Sequence, residues 1–263
     1  MTRLPVAAFV ALVIATVGAF FVTQHLKVTT PLLAGFPAPV PSTINPVSGG
    51  TCRIRAGKGR LRQVNFRQMK VSFYLLRRAD DVDVYIERDG VMVRQIGTNV
   101  HMTVKHRHEF TWNGRLTDGR VASDGQYTIQ VSLVHQGRSL PISNSSGALP
   151  VTVQTGVPRI VVTGVSPRTV APGGRVTIRY AGNQGLRPRV LIYRLFGSRP
   201  RQVKSYSATS RSGVTGWDGT VAGGRLAPAG TYLVALKLTN RACTTGRSPV
   251  SATLAPRAVL TVR

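Results

Sequence analysis

Acidic residues are scarce in this chain. Nine Asp and Glu stand against 35 Lys and Arg in 263 residues, a formal net charge of +26. So few carboxylates leave little material for the paired acids of glycoside hydrolysis or the oxygen cages of hard cations. Cysteine is limited to Cys52 and Cys243, which excludes a small disulfide-framework protein and a cysteine-rich zinc site. Gly-x-Ser-x-Gly, His-Glu-x-x-His and the phosphate-binding loop are all missing. No enzyme activity and no cofactor is expected. Helical periodicity is also absent after residue 28. Hydrophobic residues nevertheless make up 42% of the chain, enough to build a core.

One long apolar run is present, from Leu4 to Val22, with no charge between Arg3 and Lys27. About 20 helical residues cross a bilayer core, so residues 1–28 read as a signal-anchor, a transmembrane helix. The alternative is a signal peptide cleaved after Val17-Gly18-Ala19. Residues 29–50 carry Pro31, Pro37, Pro39, Pro41 and Pro46 and no charge. They read as an extended spacer that lifts the rest off the membrane. The expected location is the cell membrane, single-pass, with the C-terminal part extracytoplasmic. Secretion is the alternative.

The remainder contains one unit written twice. Trp112, Asn113, Gly114, Gly119, Arg120, Gly125 and Tyr127 recur 105 residues later as Trp217, Asp218, Gly219, Gly224, Arg225, Gly230 and Tyr232. Val71 and Phe73 correspond to Val176 and Ile178. Gly90, Arg94 and Gln95 correspond to Gly197, Arg201 and Gln202 at an offset of 107. A unit this long suits a whole domain rather than a solenoid repeat. Apolar residues alternate with polar ones at Val71, Phe73 and Leu75, at Val82, Val84 and Ile86, and at Tyr127, Ile129, Val131 and Leu133. Period two means antiparallel sheets with one buried face. The fold class is therefore all-β, with two tandem antiparallel β-sandwiches at 51–155 and 156–263. Asn113-Gly114 and Asp218-Gly219 are turn dipeptides. Tyr127 and Tyr232 stand where a tyrosine corner would place them. A sugar-stacking platform of Trp and Tyr is the functional alternative; core and turn roles explain every repeated residue.

The pattern Trp-[Asn/Asp]-Gly-x4-Gly-x5-Gly-x-Tyr, preceded by Gly-x3-Arg-Gln-[Ile/Val], resembles the FlgD/Vpr-type immunoglobulin-like domain in both units. The resemblance implies Ig-like sandwiches of the kind found in the flagellar hook-capping protein and as accessory domains of secreted bacterial enzymes. It implies a bacterial, non-enzymatic role in structure or interaction at the cell envelope, or an accessory, export-linked role related to hook capping. The hook-capping assembly region has no counterpart in the sequence.

Charge divides unevenly between the units. Residues 50–155 hold 16 Lys and Arg against eight acids; residues 156–263 hold 17 against Asp218 alone. A cationic exported domain favours anionic envelope polymers, either phosphate-bearing glycans or lipid head groups. Another envelope protein is the other expected partner. Nucleic acid is not expected beside a membrane anchor. The rival reading is composition, because Arg outnumbers Lys 29 to 6.

An exported location would allow Cys52 and Cys243 to pair. With the domains end to end and Cys52 opening the first, the two would lie a domain length apart. Bridging needs Cα atoms within about 7 Å. The bond therefore requires the domains to fold back; pairing between molecules and free thiols are the alternatives. His106 and His108 would share a strand face with Met102, Val104 and Phe110. A third metal ligand is not evident near them. Asp118 and Asp124 flank the first repeat's turn, but Gly223 and Ala229 replace them in the second, so no shared calcium site is expected.

Overall fold

The computed structural model describes residues 12–17, 32–35, 38–55, 60–144, 147–182, 185–197, 199–211, 213–249 and 255–263. Residues 12–17 are helical and exposed. Most of the expected span Leu4–Val22 lies outside the described residues. Among those described, no helix is long and apolar enough to cross a membrane.

Two β-sandwiches with the same strand order follow. In the first, a three-stranded sheet runs Leu33–Ala34, Met69–Leu75, His108–Trp112. It faces a sheet ordered Thr43–Ile44, Val151–Val153, Gly125–Leu133, Asp80–Arg88, Val91–Met102, with Arg138–Pro141 also paired to Gly125–Leu133. In the second, Val161–Ser166, Val176–Ala181 and Val214–Trp217 form the small sheet. The large one is ordered Thr169–Val170, Val259–Val262, Gly230–Thr239, Arg189–Phe196, Arg199–Ser207, with Thr245–Ser248 paired to Gly230–Thr239. In both, the short strand at the edge of the large sheet pairs in parallel with its neighbour, which in turn pairs antiparallel with the next strand.

Alternation along the strands places the apolar residues inside. Met69, Val71, Phe73 and Leu75 face Val82, Val84, Ile86, Ile129, Val131 and Leu133 across the first core. Val176, Ile178, Val190, Ile192, Val234 and Leu236 do the same in the second. The central strands of the second sheet are buried more completely than alternation predicts, since Leu191, Tyr193, Leu233 and Ala235 on the other face are also covered. The Arg247 guanidinium lies 4.8 Å above the Tyr193 ring on that side, a long side chain roofing apolar surface while keeping its charge in water.

The proline-rich stretch 29–50 is not a free spacer. Its described residues supply both initial strands of the first sandwich, Leu33–Ala34 on one sheet and Thr43–Ile44 on the other. Ile44 is fully buried. These strands have two residues each, too short to show a period, and the prolines between them let the chain switch sheets. The first domain therefore starts before residue 51. A hairpin, Thr51–Arg55 with Leu61–Asn65, is inserted between Thr43–Ile44 and Met69–Leu75. The second domain has only residues 171–175 at that place.

Candidate functional site

Three places collect the residues that the sequence singles out: the repeated corners, the junction between domains and one face of the second domain.

At the corners, both tryptophans are 1% exposed, and Tyr127 and Tyr232 are buried beside them. The ring centroids are 5.1 Å apart for Trp112 and Tyr127 and 5.4 Å for Trp217 and Tyr232. Each indole donates its N–H to the carbonyl three residues on, Arg115 or Thr220, at 2.8 Å. Each phenol donates to the carbonyl four residues back, Ser123 at 2.8 Å and Pro228 at 2.6 Å. The polar end of each ring is thus satisfied by local backbone while its body fills the core. Asn113 and Asp218 accept the N–H of Arg115 and Thr220. Gly114 and Gly219 turn the chain at φ 69° and 65°, a region where side chains are strained. A Cβ on Gly219 would also meet the Gly174 carbonyl at 2.6 Å. An open hollow passes beside Trp112, but with both indoles 1% exposed and both phenols buried no ring offers a face for a sugar to stack on. Gly119, Gly224, Gly125 and Gly230 also have positive φ, so all six repeated glycines serve the turn geometry.

The junction corrects the expectation for the cysteines. Cys52 and Cys243 are bonded, with Cα atoms 6.0 Å apart. The parallel pairing of Thr43–Ile44 with Val151–Val153 gives the reason. Both strands run toward the place where the chain leaves the first domain, so the hairpin that follows Ile44 emerges there. Cys52 is therefore at the near end of the first domain, and the loop carrying Cys243 points back toward it. No folding back is needed. Val64, Phe66 and Cys243 form a small buried apolar cluster, with Cys52 and Ile54 packed against it. Asn45, fully buried, ties both domains. Its amide nitrogen reaches the Thr155 carbonyl at 3.1 Å and Thr244 Oγ1 at 2.9 Å, and its oxygen accepts the N–H of Val47 and Ser48. In the second domain Asn240 accepts the N–H of Ala242 and Thr244 and donates to the Gly156 carbonyl at 3.3 Å. Asn45 and Asn240 carry no repeat or periodic signal, and sequence reasoning missed both.

The histidines expected on one strand are split. His108 opens the strand His108–Trp112, while His106 sits in the preceding turn, where Lys105 has φ 62°. Their rings still touch, with centroids 5.3 Å apart. Among the described residues no group of three His, Cys, Asp or Glu could hold a metal ion. Asp118 pairs with Arg120 at 2.5 Å, and Asp124 accepts the N–H of Thr155.

Asp80 is a further buried acid that the sequence does not reveal. Its burial alone would raise the carboxyl pKa. The backbone N–H of His135, the Gln136 amide and the His135 ring bind the charged form and hold the net value below 3.8.

On the second domain the single acid, Asp218, meets Lys204 at 2.6 Å. Burial opposes its ionisation, but Lys204 and Thr220 hold its pKa below the usual value. Nearby Tyr206, desolvated and facing Asp218, is pushed well above the normal phenol range. Beside the corner, an open hollow of about 280 Å³ is lined by Arg194, Phe196, Arg201, Val221, Arg225 and Pro228, among others.

These sheets and corners define an immunoglobulin-like β-domain protein. Residues 62–137, within the first sandwich, match the family model of the FlgD Ig-like domain. Among solved structures, the human OSCAR ligand-binding domain is 16% identical at a TM-score of 0.35, covering 88% of this chain and 97% of its own. The chicken CNTN1 FN1–FN3 domains are 12% identical at 0.38, covering 77% and 69%. Among curated proteins, none matches the chain.

Proposed function

We propose that this is a non-enzymatic, membrane-anchored protein of the bacterial cell envelope, whose two Ig-like domains form an extracytoplasmic structural or interaction module. The observation that carries this reading is the Cys52–Cys243 bond between domains. Structural disulfides persist in oxidising compartments and are rare in the cytosol. The apolar run Leu4–Val22 supplies the single span. We read the second sandwich as a second FlgD-type copy, on the strength of its identical strand order and corner hydrogen bonds.

Protease added to intact cells tests the placement. Residues 32–263 should be digested from outside, and the full-length chain should migrate faster without reductant than with it. Protection until lysis, together with reduced cysteines, would overturn the reading.

A second reading, a binder of anionic envelope polymer, is favoured by the 17 Lys and Arg facing one acid in residues 156–263. Raising salt should then weaken retention on isolated cell wall.

A further inference from the structure

We propose that the hollow beside the second corner is a phosphate-binding subsite, formed by Arg194, Arg201 and Arg225 with Phe196 as its apolar wall. The inference rests on the polymer-binding reading and locates it. The argument comes from the duplication itself.

The first domain carries an arginine at each corresponding place, and each is occupied by its own domain. Arg120 is gripped by Asp118, its Nε 2.5 Å from the carboxylate and its backbone N–H at 2.9 Å. Arg88 lies 3.7 Å from Asp89 and also binds Ser123 and the Tyr127 hydroxyl. Arg94 donates to the Leu116 carbonyl at 3.2 Å.

In the second domain the neutralising acids are gone. Gly223 stands where the first repeat has Asp118, and Phe196, at the offset of 107 shared by Gly90 and Gly197, stands where it has Asp89. Arg194 keeps one neutral contact, to the Ala229 carbonyl at 2.8 Å, and lies 4.9 Å over the Phe196 ring. The guanidinium groups of Arg201 and Arg225 have no hydrogen bond or ion pair among the described residues. Asp218, the domain's one acid, is held by Lys204. Three permanently charged forks line one open hollow without internal counterions. Forked guanidinium donors match the oxygens of a phosphodiester in pairs. Phe196, 51% exposed, gives the backbone of a polyol phosphate an apolar surface to lie on. A repeating phosphodiester would occupy the hollow and continue across the cationic domain.

The test uses the full-length protein in detergent and soluble glycerol-phosphate oligomers as the probe, with affinity measured at fixed salt. Arg201→Gln with Arg225→Gln should weaken binding at least tenfold. Arg168→Gln with Arg179→Gln, an equal charge loss at exposed positions elsewhere on the same domain, should weaken it less than threefold. Gly223→Asp, which restores beside Arg225 the acid that holds Arg120 in the first repeat, should match the first pair. All lie on the surface, and unchanged melting temperatures would show that the fold is intact. Equal losses for the two pairs would overturn the subsite and leave the general polymer reading standing. No binding of the oligomer by the unaltered protein would overturn both.

Discussion

The two sandwiches share a skeleton and differ in what they do with their charge. Strand order, corner turns and the hydrogen bonds of the Trp–Tyr pair are repeated in both. Yet the first domain holds eight acids and spends two of them, Asp89 and Asp118, on its own arginines, whereas the second holds one, paired with Lys204. The difference separates two kinds of selection on one fold. Residues that close a core recur because the core cannot form without them. Surface charges are free to diverge, and there the second domain is left with cations facing water.

The largest test of this comparison is removal of a corner tryptophan. Trp112→Ala and Trp217→Ala should each destabilise their own domain by about 3–5 kcal/mol, the usual cost of emptying a large buried aromatic site. Two resolved calorimetric transitions would measure it. A loss confined to one domain would show that the corners are not equivalent.

A smaller difference is expected between the tyrosines. The Tyr127 hydroxyl donates to Ser123 and also accepts from Arg88 at 3.2 Å. Tyr232 is bound at Pro228. Each Tyr→Phe change should cost about 1 kcal/mol, with Tyr127→Phe the more costly. Chemical denaturation of the two variants would rank them.

The smallest effect shows only in acid. The Asp80 carboxyl titrates below 3.8 when folded. Its contribution is therefore complete above that value and is lost as pH falls through the lower folded pKa. The first domain should weaken in this window, and Asp80→Asn should remove that part of the slope. Melting curves between pH 2 and pH 6 would check it.

What the sequence disclosed follows from length and repetition. Strands of seven to nine residues, such as Met69–Leu75 and Gly125–Leu133, show their period. The corners showed themselves by recurring. Leu33–Ala34 and Thr43–Ile44 could not, because two residues have no alternation and the surrounding prolines imitate a linker. The inserted hairpin has no second copy to be compared with, so sequence alone puts Cys52 at the wrong end of its domain and the bridge out of reach. Asn45, Asn240 and Asp80 act through loop geometry that no local pattern encodes. The arginine hollow was visible only as excess charge, since its meaning depends on which acids the other copy keeps.

Quenching of tryptophan fluorescence by acrylamide tests the central claim most directly, because Trp112 and Trp217 are the only indoles in the chain. Rings serving as interior corners should resist quenching in the native protein, respond equally little with or without added glycan, and become accessible only on unfolding. A ring that is readily quenched in the native state and shielded when glycan is added would contradict the account, placing that tryptophan in an open binding face instead of a core.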